Sequence, residues 1–296
     1  MAQSDKDLRL AVLIDADNAP RTALADIMAE VAVYGTPTMK RIYGDWTAPN
    51  MGSWKPLLLQ HAIAPIQQYG YTTGKNSTDS AMIIDAMDIL YGGQVDGFVL
   101  VSSDSDFTRL AIRLREAGKK VYGMGEKKTP QPFIVACDRF IYIEVIRAAR
   151  AGAGEKPAAQ EKAAAQEQDA AGPQGPAPQE EPAPAKPAKK SHKKKQPAPE
   201  PEPEYTDDHG VPAEIVQVIA ESLDMVADED GFAFLGTLGH LIQKKRPDFD
   251  SRNYGYSKLS QMMRAMDRFE VEDRQSEHSN DKHNYIRDKK RKQPPL

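Results

Sequence analysis

The stretch Phe98-Val-Leu-Val-Ser-Ser-Asp-Ser-Asp-Phe107 constrains the fold more than any other part of the sequence. A run of β-formers, Phe98 to Val101, stops at two serines. Asp104 and Asp106 follow, and an amphipathic run from Phe107 to Ala117 closes at Gly118. An unbroken apolar run bounded by turn residues predicts a buried parallel strand, and the run after it a helix. The acidic pair then falls where a strand's carboxyl end turns into a helix, the edge at which open α/β sheets form ligand crevices. Two carboxylates so close repel each other unless a cation or a proton relieves them. Ser102, Ser103 or Asp104 can equally cap the helix that follows. From this motif alone, capping and divalent-metal binding both stand.

The same grammar recurs earlier. Leu8 to Ile14 is a short apolar run closed by Asp15-Ala-Asp-Asn18, and helical spacing of Leu24, Ile27, Met28 and Val31 follows. Further strands are predicted over Thr38–Tyr43, Ala64–Tyr69, Lys119–Met124 and Phe140–Val145. Helices are predicted over Trp54–Ala62, with Leu57, Leu58 and Leu59 inward, and from Ser77 to Gly92, with a helical turn at Phe133–Ala136. In the Ser77 helix, Asp79 lies in the first turn, where the helix dipole favours a carboxylate. Asp85 and Asp88 fall off its apolar stripe and are expected on an exposed face. Strands alternating with helices indicate a parallel sheet covered on both sides.

Composition then divides the chain. From 151 to 208 it is rich in Pro, Ala, Glu and Lys and nearly free of large apolar side chains, which predicts a disordered linker between a first domain over 1–150 and a second over 209–288. In the second, Ile215, Val216, Ile219 and Leu223 mark one helix. Phe234, Leu235, Leu238, Leu241 and Ile242 mark another, and Leu259, Met262, Met263 and Met266 a third from about Tyr254 to Asp267. Phe269-Glu-Val-Glu and Asn284-Tyr-Ile-Arg read as a hairpin, so the domain is expected to be a winged helix-turn-helix. Lys258, Arg264 and Arg268 lie opposite the third helix's apolar side and are the expected RNA-binding cations. Residues 289–296 form a basic tail.

Net charge is −4, so nucleic-acid binding must come from local patches. The one cysteine, Cys137, excludes an intramolecular disulfide framework and suits a reducing compartment, and no apolar run approaches the ~18–20 residues that span a bilayer. A cytoplasmic protein without a membrane segment is expected.

Should the strands ending at Asp15 and Val101 be central neighbours, Asp15, Asp17, Asp104 and Asp106 meet at one edge, and Asp79 can join them from the head of its helix. Such a set is prohibitively repulsive if dry and unpaired. Oxygen-only ligands suit Mg²⁺ or Mn²⁺, ions that keep waters and bind phosphates. Lys75, just before Asp79, can meet a phosphate or leaving group or simply be solvated.

Ile14-Asp-Ala-Asp-Asn18, Lys75 with Asp79, and Val101-Ser-Ser-Asp-Ser-Asp-Phe107 closely resemble the NYN domains, relatives of PIN-type nucleases. The resemblance spans roughly Leu8 to Ile146. It implies a Rossmann-like fold and a Mg²⁺- or Mn²⁺-dependent ribonuclease site, with Asp15, Asp79, Asp104 and Asp106 as metal-binding acids and Asn18 in support. Asp15, Asn18, Asp79, Asp104 and Asp106 together are the expected catalytic set. Gly231-Phe, Leu238-Gly239, Pro247-Asp-Phe-Asp250, Tyr254-Gly-Tyr-Ser-Lys258 and the closing hairpin resemble the LOTUS (OST-HTH) winged helix, which implies RNA binding. RNA is thus the expected partner, with a second copy or a protein partner on the winged helix as the other candidate. The alternative function is a non-catalytic RNA-binding or regulatory adaptor. A haloacid-dehalogenase-type phosphatase, suggested by Asp15-Ala-Asp17, fails at Ala19, where that family's motif has Thr or Val.

Overall fold

Five of the apolar runs become strands of one parallel sheet, and the sixth strand is the short Ala64 segment. The computed structural model describes residues 7–69, 77–153, 210–275 and 282–290. The strands are β1 (Arg9–Asp15), β2 (Thr36–Gly44), β3 (Ala64–Gln67), β4 (Gly97–Val101), β5 (Lys120–Gly125) and β6 (Arg139–Tyr142), in the order β3-β2-β1-β4-β5-β6. Every neighbouring pair is parallel. The chain winds outward from β1 to β3, then crosses back to β4, so the switch point lies between β1 and β4. These two strands are the best buried: Leu10 to Ile14 and Phe98 to Val101 are all inaccessible to solvent. That burial explains their unbroken apolar sequences, since both faces are covered.

Helices α1 (Leu24–Tyr34), α2 (Lys55–His61) and α6 (Ile143–Ala153) cover one face, packing Leu24, Ile27, Leu58 and Ile146 against Val12, Ile14 and Val99. Helices α3 (Ser77–Gly92), α4 (Thr108–Glu116) and α5 (Gln131–Ala136) cover the other, with Met82, Ala86, Leu110 and Phe133 on Leu13, Phe98 and Leu100. Gly125 ends β5 in tight quarters, because a Cβ there would lie 2.6 Å from the Ser102 carbonyl oxygen. Lys75 lies outside the described residues.

The structure corrects several expectations. Strand β6 stops at Tyr142, and Ile143 to Val145 open a helix whose buried Ile143 and Ile146 follow helical spacing. That helix continues to Ala153, into the segment expected to be linker. Of the three leucines in α2, only Leu58 is buried; Leu59 is exposed, as helical geometry requires of adjacent positions. Asp85 is not on an open face. Arg41 and the Tyr43 hydroxyl, both from β2, donate to its two carboxylate oxygens. A long-range partner therefore overrides the polar-face reading. Asp88, by contrast, is exposed. Asp85→Ala should cost about 1–3 kcal/mol, because buried Tyr43 and half-buried Arg41 lose their acceptor, whereas Asp88→Ala should change stability by less than ~0.5 kcal/mol. Urea unfolding of the two variants measures the contrast; equal effects would contradict the clamp.

The second domain has helices α7 (Ala213–Val226), α8 (Leu235–Lys245) and α9 (Leu259–Ala265) around a core of Ile219, Leu238, Met262 and Ile286. Its three strands, β7 (Phe232–Phe234), β8 (Phe269–Gln275) and β9 (Lys282–Asp288), form an antiparallel sheet in the order β7-β9-β8. Phe234 was expected in the second helix and instead ends β7, adding a third strand to the hairpin. The third helix is also shorter than expected. Ser251–Tyr254 is a separate helical turn closed by Gly255 in the left-handed region (φ 83°), and α9 starts only at Leu259.

The segments on either side of the proline-rich stretch belong to one compact unit. The loop Pro247–Arg252 lies along β6, the edge strand: the Phe140 amide donates to the Pro247 carbonyl at 2.9 Å. Arg139 donates to Asp250 at 3.0 Å and the Tyr142 hydroxyl to Asp248 at 3.2 Å. Arg252 grips Glu30 of α1 bidentately, at 2.7 and 3.0 Å, and turns its guanidinium to Asp250 as well. An open sheet edge is thereby covered.

Candidate active site

Strand pairing places Ile14 beside Val101, so the residues that follow leave the sheet together at the centre of its carboxyl edge. Asp15 is the last residue of β1 and only 1% exposed. Its Oδ2 accepts from Asn18 Nδ2 at 2.7 Å and from Ser102 Oγ at 2.8 Å, and its Oδ1 accepts from the Asp17 amide at 3.0 Å. Ser102 Oγ in turn accepts from the Asp104 amide at 3.1 Å, coupling the ends of the two strands. Burial pushes the Asp15 carboxyl above its ordinary range, against the pull of these three donors.

Asp104 does cap a helical turn, as one reading of its motif held: its Oδ1 accepts from the Asp106 amide at 2.9 Å. The cap uses one carboxylate oxygen. One oxygen each from Asp79, Asp104 and Asp106 lies within 4.8 Å of the others. Capping and convergence thus coexist, since a carboxylate has lone pairs for both. Asp79 enters from the first turn of α3 and is 8% exposed. Burial first, then the charges of Asp15, Asp104, Asp106 and Asp17, push its carboxyl up to about 6.

Asp15, Asn18, Asp79, Asp104 and Asp106 are therefore brought to one edge. Asp15 sits beneath the other three acids, its oxygens occupied by local donors, and Asp17 is exposed beside it. Among the described residues, the set offers carboxylate oxygens that repel one another, which fits a hard divalent cation. Asp85 is the residue that helical spacing put on an exposed face. It holds α3, and with it Asp79, onto β2; no local spacing marks its partners, which lie some forty residues earlier.

The Asp79 shift has a pH signature. The folded state holds that proton more tightly than the unfolded chain, so this group's contribution to stability is present in acid and lost as pH rises from the ordinary carboxylate range through about 6. In metal-free buffer, the melting temperature of Asp79→Asn relative to the native protein should rise across that window, by roughly 2–4 °C. A flat difference would mean that Asp79 is not strained by its neighbours.

The winged helix presents a different picture. Arg264 donates to Asp273 at 2.6 Å and to Asn284 at 3.1 Å, and Arg268 holds Asp288 through two bonds of 2.9 and 2.7 Å. Both guanidiniums bind the third helix's surroundings to the sheet. Lys258 is exposed at the head of α9. Among the described residues, no helix is long and apolar enough to cross a membrane.

A six-stranded parallel sheet with acids at its switch point, followed by a winged helix, defines a PIN-like α/β protein with an appended helix-turn-helix module. Residues 9–144 match the NYN domain family and residues 210–280 the OST-HTH/LOTUS domain family. The chain thus carries an NYN domain followed by an OST-HTH/LOTUS domain. A crystal structure of a protein of unknown function from Vibrio parahaemolyticus is similar over 48% of this chain and 96% of its own, at 23% identity and a TM-score of 0.42. An NMR structure of an uncharacterized protein from Nitrosomonas europaea is 34% identical over 34% of this chain and 98% of its own, with a TM-score of 0.26. An NMR structure of a Chromobacterium violaceum protein fragment is 30% identical over 26% of this chain and 80% of its own, with a TM-score of 0.22. No curated protein matches the chain.

Proposed function

We propose that the protein is a Mg²⁺- or Mn²⁺-dependent ribonuclease that hydrolyses RNA phosphodiester bonds at the Asp79–Asp104–Asp106 cluster, with RNA captured by the winged-helix domain. The observation that carries this reading is the convergence of three carboxylate oxygens within 4.8 Å, in a setting that raises one of them to about 6. A structural acid is ordinarily paired with a cation or a donor; among the described residues, Asp79 is instead surrounded by like charge.

When bound, the ion would supply an activated water and stabilise charge on the phosphoryl transition state. The chain's own groups do the positioning. Asp15, fixed by Asn18 and Ser102, holds negative charge beneath the cluster. Asp104 is oriented by its cap, and Asp106 stands at the exposed rim. Asp79 is carried on a helix that the Arg41–Asp85–Tyr43 clamp fixes to the sheet.

The test incubates full-length protein with mixed RNAs, with Mn²⁺ and with chelator, and follows its melting temperature under both conditions. Ion-dependent cleavage together with an Mn²⁺-dependent rise in melting temperature is expected. A rise without cleavage would favour the adaptor reading. Absence of both effects would overturn the metal site.

A further inference from the structure

Arg264 and Arg268, two of the three cations expected on the third helix, are engaged within their own domain, and the Pro247–Arg252 loop faces the first domain. The outer face of the three-stranded sheet is differently made. Alternation along β7 and β9 sends Ala233 and Ile286 into the core and leaves Phe232, Phe234, His283, Tyr285 and Arg287 on the other side. Phe234 is 41% exposed, its ring edge-on to His283 at 5.5 Å and tilted against Tyr285 at 6.0 Å. Beside them the Arg274 guanidinium lies 4.1 Å from the Phe232 ring centre and 4.9 Å from that of Tyr285, and Arg287 lies 4.7 Å from Phe232.

We infer that this sheet face, centred on Phe234 and Tyr285, is a stacking platform for unpaired bases of single-stranded RNA. The inference rests on the proposed ribonuclease reading and specifies where the substrate strand is held. A large aromatic side chain exposed on a sheet face costs solvation unless something covers it. Rings and the guanidiniums that stand over them share this face, and bases stack on both aromatic rings and guanidinium planes. Glu272 and Glu270 neutralise Arg274 and Arg287, at 3.3 and 2.6 Å. The face therefore carries little net charge, and stacking rather than phosphate neutralisation must supply its affinity. Exposed Lys289 and Lys290 stand beyond the end of β9. A duplex offers no unpaired base to such a surface, so single strands are the occupant it fits.

The test measures binding of labelled single-stranded RNA to the full-length Asp104→Asn chain in chelator, so that cleavage plays no part. Phe234→Ala and Tyr285→Ala should each weaken binding by about fivefold or more without changing the salt slope, and Phe234→Trp should retain it. Phe234 is exposed, so its replacement leaves the core intact; thermal melting checks this. Matched duplex RNA should compete poorly. Unchanged affinity in Phe234→Ala, loss in Phe234→Trp, or equal competition by duplex would overturn the platform and leave the face to a protein partner. An inactive wild-type enzyme would refute the ribonuclease reading without touching this result, and active enzyme with unaltered Phe234→Ala binding would refute the platform alone.

Discussion

Asp104→Asn is expected to reduce RNA cleavage by on the order of 10²–10³-fold while leaving the protein folded and slightly more stable without metal. The asparagine carbonyl can still accept from the Asp106 amide, so the cap survives and only the charge is lost. That charge is one of those that raise Asp79, and its removal relieves the cluster. Asp15→Asn is a different experiment. Both carboxylate oxygens of Asp15 accept from donors, and an amide must turn its NH₂ toward the Asp17 amide or toward Asn18 and Ser102. That mismatch should cost about 1–3 kcal/mol in addition to activity. Steady-state cleavage and thermal melting of both variants separate the two cases. Wild-type rates in Asp104→Asn would place the chemistry elsewhere.

The second large effect concerns the contact between the domains. Arg252→Ala would leave Glu30 and Asp250, 9% and 11% exposed at their side chains, without their principal cation. Breaking a buried pair by removing one partner costs about 3–5 kcal/mol, because the remaining charge is stranded. With a protease site inserted into the proline-rich segment between 154 and 209, cleaved wild-type protein should elute as one species. Cleaved Arg252→Ala should separate into two. Co-elution of the cleaved variant would show that Arg252 does not hold the contact. Acid should act in the same direction. Burial works to raise the Glu30 and Asp250 carboxyls, but Arg252 outweighs it and the net shift is downward. Stability from these groups is present above the ordinary carboxylate range and lost as pH falls through their lowered values. A chain ending at Ala153 would also uncover the β6 edge and leave Arg139 without Asp250, so truncation should lower stability as well as remove the winged helix.

This contact changes the expected relation between the two halves. The composition of 151–208 predicts domains joined only by a flexible tether, whereas the structure joins them through Arg139, Asp250, Arg252 and Glu30. Nothing local announces this, because Arg252 and Glu30 are 222 positions apart. Arg264 and Arg268 were legible as a polar face of the third helix, yet their carboxylate partners come from the hairpin.

By itself the sequence determined where the strands of the first domain begin and that acids stand at two strand ends and one helix start. Apolar runs of strand length and helical spacing are local consequences of burial, so they are written contiguously in the chain. It also determined the order of the two domains, through short motifs with turn residues at fixed offsets. Tertiary structure alone decided that β1 and β4 are neighbours, which brings Asp15, Asp79, Asp104 and Asp106 to one edge. It alone placed Asp85 in a clamp rather than on an open face, and Phe234 in a third strand rather than a helix. Strand order, ion-pair partners and edge pairing are set by which surfaces can be buried together, and that free energy depends on groups distant in sequence.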